Sequence, residues 1–235
     1  MKKFIFGTFI YEYELREQDR KTLSLTVTPD LCIIVKCPMG ADSERIELFL
    51  QKKWFWLEKQ LSFFKKYKRQ TYEKEYISGE GYLYLGRQYK LLVKKGKEDS
   101  VSLTRGQLIV YTTKLVTDGR YNKKLVDSWF REKTALILQD RYTQMLSLFD
   151  FKNTPKLSVR EMKKRWGSFL NQDRVFLNPK LIHTSKDCID YVIVHELCHM
   201  KYKSHDKKFY VFLGQKFPQW EKVKEKLEIL GSSLY

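Results

Sequence analysis

Apolar residues in this chain recur in two rhythms, one of period two and one of period three to four. Residues 4–14, 20–28 and 31–37 are rich in Phe, Ile, Tyr, Thr and Val and are punctuated by Asp30 and Pro38, which predicts a three-stranded meander. Met1-Lys2-Lys3 before the apolar run Phe4 to Tyr11 resembles a basic, then apolar leader. Glu12, Glu14 and Arg16 follow without a small-residue cleavage site, so a first strand is the expectation. Ile46, Phe49, Leu50, Trp54, Leu57, Leu61 and Phe64 then repeat at spacings of three and four, behind Asp42 or Ser43 as cap. Lys52, Lys53, Lys59, Lys65, Lys66, Lys68 and Arg69 occupy the other face of that helix, interleaved with Trp56 and Phe63. A solvated amphipathic helix explains such a face, and so does a grip on nucleic acid.

Short strands are expected near 82–85, 88–94, 100–104 and 107–111, broken by Gly86, Gly96 and Gly106. A second long helix is predicted over 122–148, then strands over 156–160, 166–169 and 174–178. Thr184 and Asp187 have the spacing of a capping box and should open a helix over 186–202. Further helices are expected over 206–216 and 218–230, with Pro218 opening the last. Strands and helices are segregated, so the class is α+β. No repeat is visible at periods of 20–50 residues. Val116-Thr117-Asp118-Gly119-Arg120 reads as a boundary between a β-rich part, 1–118, and a second part, 119–235.

Composition narrows the possibilities. The 235 residues are 43% hydrophobic and 15% aromatic, enough for a core and unlike a disordered tail. No run approaches the roughly 18 apolar residues of a spanning helix, so no membrane role is expected. Cys32, Cys37, Cys188 and Cys198 form no C-x-x-C pair, which suits reduced thiols in a cytoplasmic protein. The formal charge of +17 is spread along the whole chain and is a weak footprint of a polyanion such as nucleic acid.

His195-Glu196-Leu197-Cys198-His199 changes the picture most. On a helix, residues four apart stand on one face, so this H-E-x-x-H run presents two imidazoles together, a rigid pair of zinc donors. Glu196 is then placed to act on a zinc-bound water as general base. His205 follows six residues after His199, far enough for the chain to leave the helix and return as a third ligand. Three protein ligands and one open position are the plan of a catalytic zinc site. At this composition, an accidental H-E-x-x-H arises about once in 200 chains. His183 matches no position of the pattern and is expected at a loop or strand end.

Tyr191 to Tyr210, YVIVHELCHMKYKSHDKKFY, resembles the active-site segment of the YgjP-like metallopeptidases, zincins related more distantly to the SprT-like and WLM proteases. Arg160 to Ser168 resembles their R-x-x-x-x-R-W-G-S segment, Val175-Phe176-Leu177-Asn178 their short I-x-L-N strand, and Gly79 to Tyr89 their Y-L-G-x-x-Y stretch. Phe169 departs from the usual Cys after W-G-S, and Cys198 replaces a small residue. The resemblance implies a zincin-like second part with one zinc ion per chain on His195, His199 and His205, and Glu196 as catalytic acid/base. In zincins an edge strand above the metal holds substrate as an added strand. By position Trp166-Gly167-Ser168 is the candidate, although Trp166 also suits a core aromatic.

The expectation is therefore a zinc-dependent peptidase that uses activated water, acting on protein or peptide. Arg165, Tyr202 and Tyr210 are all conceivable oxyanion donors, and Asp190 and Asp206 could orient ligand imidazoles. A different class remains open: a nucleic-acid-associated module whose zincin site is vestigial or DNA-dependent. The same water chemistry would also serve a non-peptide amide.

Overall fold

The computed structural model describes residues 1–28, 30–67, 73–163, 165–170 and 173–234, without the side chains of 66–67 and 232–234. Lys68, Arg69 and the Lys66 side chain of the expected basic face lie outside this description. The chain forms two compact units, residues 1–71 with 229–235, and residues 72–228. The expected boundary near 118 falls elsewhere because the strands before it share a core with the helix after it: Leu91, Val93, Leu108 and Val110 pack with Val126 and Trp129.

In the first unit β1 (Lys2–Phe6), β2 (Phe9–Gln18), β3 (Ser24–Val27) and β4 (Ile33–Pro38) form a sheet of order β1-β2-β4-β3. The expected meander is replaced by a crossover in which β4 runs parallel to β2 and antiparallel to β3. Its sequence explains this. Ile33, Ile34 and Val35 are all buried, a continuous apolar run that an interior position uses and an edge wastes. The long first strand is divided by the turn at Gly7-Thr8 into a hairpin. Helix α1 (Ser43–Tyr67) starts at Asp42, whose carboxylate accepts from the Glu44 N–H at 3.2 Å, and buries Ile46, Leu50, Leu57 and Leu61 on the sheet.

The second unit repeats that plan. Strands β5 (Gly81–Tyr84), β6 (Arg87–Lys95), β7 (Ser100–Thr104) and β8 (Gln107–Thr112) have order β5-β6-β8-β7, again with one parallel pair, and α2 (Gly119–Leu146) follows. Equivalent elements begin 74–79 residues apart (Ile33 against Gln107, Lys2 against Gly81), a topological duplication at a longer period than 20–50 residues. Next come β9 (Lys156–Val159), β10 (Gly167–Leu170) and β11 (Arg174–Leu177), in a three-stranded sheet with β10 at one edge. A 3-10 turn, Pro179–His183, leads into α3 (Lys186–Cys198), α4 (Lys207–Lys216) and α5 (Trp220–Leu234). No described helix is long and apolar enough to cross a membrane.

Three connections fix α3. Arg141 of α2 makes a two-pronged ion pair with Asp190, both contacts 2.6 Å. Burial raises the Asp190 pKa against the pull of the Arg141 charge. The β5–β6 turn, Leu85-Gly86, abuts the helix start; Leu85 N–H donates to the Ile182 carbonyl at 2.8 Å. Gly86 has φ +77, and a Cβ there would lie 3.0 Å from the Ser185 Cα and N, so the Gly of the Y-L-G stretch permits both the turn and the contact. His183 closes the same junction, with Nδ1 2.7 Å from the Leu83 carbonyl. The helix begins after Ser185, which supplies no side-chain cap, while Thr184 turns its hydroxyl back to the Leu181 carbonyl; the expected capping box is absent.

Candidate metal centre

Helix α3 buries all of Tyr191-Val192-Ile193-Val194, the apolar turn before the H-E-x-x-H residues. The helix ends sooner than the sequence suggested, with His199 as its C-cap. Hydrogen bonds from His199 N–H to the Glu196 carbonyl and from Met200 N–H to the Leu197 carbonyl tighten the last turn. The chain then leaves the helix and returns at His205, immediately before α4. Asp206 caps α4 by accepting from Phe209 N–H at 2.9 Å.

His195, His199 and His205 converge, their donor atoms all within 4.8 Å of one another. The Nε2 atoms of His195 and His205 stand 3.0 Å apart. Two imidazole nitrogens sharing a tetrahedral zinc ion lie about 3.3 Å apart, so the observed spacing fits a common ion after a small adjustment. A carbonyl only accepts, so the 2.9 Å contact from His199 Nδ1 to the Tyr202 carbonyl puts the ring proton on Nδ1 and leaves Nε2 its lone pair. Burial, reinforced by His199 and His205, pushes the His195 pKa down to about 3, so that ring is neutral. The His205 pKa is lowered by the same kinds of cause. Neutral rings are the form that binds metal. His195 Nδ1 is buried and has no partner among the described residues.

Glu196 lies beside this cluster and outside its set of donors. It is buried, which pushes its pKa up to about 7 against the opposing Arg165 charge and a hydrogen bond from the Phe169 backbone. Strand β10 passes over it so closely that a Cβ on Gly167 would lie 2.7 Å from Glu196 Oε1 and 2.8 Å from Val192 Cγ1. Gly167 is therefore required by close approach. Gly167→Ala is expected to lower turnover at least tenfold while the chain still folds, checked by kinetics and circular dichroism on one preparation.

A cleft of about 670 Å³ opens over the histidines and Glu196. Arg165, Trp166, Gly167, Ser168 and Phe169 line one side, and Tyr191 and Val192 of α3 another. Lys203 and Leu227, which the sequence did not single out, also line it. Tyr202 and Tyr210 do not. Tyr202 contributes its carbonyl to His199, and the Tyr210 ring stacks on Trp220 at 5.0 Å. Asp190 and Asp206 are engaged with Arg141 and the α4 cap instead of imidazoles. Asn178 is a positioning residue that sequence reasoning left without a role. Its side-chain amide donates to the carbonyls of Met162 and Arg165, and its N–H to that of Trp166, fixing the segment that carries Arg165 into the cleft.

The YgjP-like metallopeptidase domain model matches residues 21–229, and the chain belongs to that family. It is thus a metal-dependent protease, for which the three histidines are the candidate metal site. No curated protein matches the sequence. Among solved structures it is similar to the metallopeptidase zymogen abylysin of Pyrococcus abyssi, at 17% identity over 38% of this chain and 90% of that one, TM-score 0.36. It is also similar to the zymogen jannalysin of Methanocaldococcus jannaschii, at 26% identity over 40% and 94%, TM-score 0.34.

Proposed function

We propose that this chain hydrolyses peptide bonds with one zinc ion held by His195, His199 and His205 and with Glu196 as general acid/base. The convergence of three imidazoles beside a buried carboxylate that is not a donor carries the reading. The ion supplies Lewis acidity, lowering the pKa of water and polarising a carbonyl. Glu196 takes a proton on its carboxylate from the attacking water and passes it to the leaving amine. The Phe169 backbone contact holds that carboxylate in place, and burial makes it a stronger base than a solvated one.

Edge strand β10 lies along the cleft and pairs on one side with β11, which leaves it able to take a peptide as an added strand. Trp166, Gly167 and Ser168 would hold the peptide backbone there. Of the three conceivable oxyanion donors, only Arg165 lines the cleft, and it is assigned that role. Tyr202 serves His199 through its carbonyl, and Tyr210 supports the cleft by stacking.

The test is cleavage of an unfolded protein by the full chain, before and after removal of metal with a chelator. Activity should vanish on chelation and return with about one equivalent of zinc per chain. Cleavage that survives in metal-free protein would overturn the reading.

A further inference from the structure

The outward face of α1 has no part in the metal centre and belongs to the other unit. Leu48, Lys52, Phe55 and Lys59 follow one another at helical spacing, with Lys53 and Trp56 beside them. Phe55 is 77% exposed and Trp56 39%, while the apolar residues of the opposite face are buried on the sheet. From Gln51 to Tyr67 the helix carries five lysines and a single acid, Glu58. That acid accepts from the Tyr11 hydroxyl at 2.8 Å, and among the described residues Lys52, Lys53 and Lys59 make no ion pair. The corresponding helix of the second unit, α2, is tied to α3 through Arg141 and Asp190.

We propose that the outward face of α1 binds single-stranded nucleic acid, with bases stacked on Phe55 and Trp56 and phosphates against Lys52, Lys53 and Lys59. Exposed aromatic planes between cations suit unpaired bases, which offer a π-face whatever their sequence. Charge alone would serve any polyanion, but it would not place two rings in water. An anionic bilayer fits less well, because the helix's main apolar face is already committed to the sheet. Lys52 to Lys59 spans about 10 Å of helix, so the site covers only a few nucleotides.

The experiment is fluorescence anisotropy of a labelled 20-nucleotide single strand with the full chain across a salt series. Binding in the micromolar range is expected, with log Kd rising against log salt at a slope of about 2, as three contacted phosphates predict. Lys52→Glu with Lys59→Glu should weaken binding at least tenfold and reduce that slope by about 1.4. Phe55→Ala with Trp56→Ala should weaken it about tenfold and leave the slope unchanged. Peptide cleavage should be the same in all three proteins, since none of these residues belongs to the metal centre. Wild-type affinity in the aromatic pair would overturn the proposal, as would equal affinity for a duplex. Displacement of the strand by polyglutamate as readily as by unlabelled DNA would assign the face to acidic proteins instead.

Discussion

Glu196→Gln is expected to leave a folded protein that keeps its metal at the wild-type level and hydrolyses peptide about 10²–10⁴ times more slowly. The amide has the carboxylate's shape, so the close packing of β10 on the side chain at Gly167 survives the exchange. Its oxygen can still accept the Phe169 backbone hydrogen bond. What it cannot do is take a proton from water. Because the carboxylate is not among the converging donors, the ion has no reason to leave with it. Metal content and turnover must be measured on one preparation. Unchanged turnover would remove Glu196 from the chemistry, and metal lost together with activity would make it a ligand or a support of the ligands.

Elements with a single strong period were legible in the sequence. The apolar stripe of α1 ends within a turn of where the helix does, and β7 matches its expected limits at 100–104. Pairing was less legible, because strand order depends on contacts that are distant in sequence. The run Ile33-Ile34-Val35 carried a cue for an interior strand, yet a meander requires the same residues to form a strand and differs only in neighbours. The unit boundary was hidden for a related reason. Val116 to Arg120 has the composition of a linker, but it joins two elements of one core.

The site divides along the same line. His195, Glu196 and His199 lie on one helical turn, where spacing dictates geometry, and His205 was within reach because five intervening residues give the chain room to leave the helix and return. Side chains acting across the fold had no local signal. Asp190 could equally have faced an imidazole or an arginine 49 residues away, and the arginine holds it. Asn178 clamps the segment that carries Arg165, although its sequence neighbours mark it only as the end of a strand.

His205→Ala is the change that most directly tests the metal centre. His195 and His199 are half-buried and share one helix, whereas His205 is exposed and comes from the following loop, so of the three proposed ligands it is the one whose removal should disturb the fold least. Two imidazoles then remain for an ion that favours at least three protein ligands in a catalytic site. Loss of a partner outside the coordination sphere typically lowers metal affinity about 10–100-fold, so loss of a ligand should exceed that range. Metal analysis after dialysis should find the variant nearly empty and inactive, with its circular dichroism spectrum retained. Glu221, Glu225 and Glu228 of α5 are the acids that could substitute along the chain, but none of them joins the converging donors. Full occupancy in the variant would strike His205 from the ligand set and direct attention to those three carboxylates, each replaced in turn by Gln in the His205→Ala background.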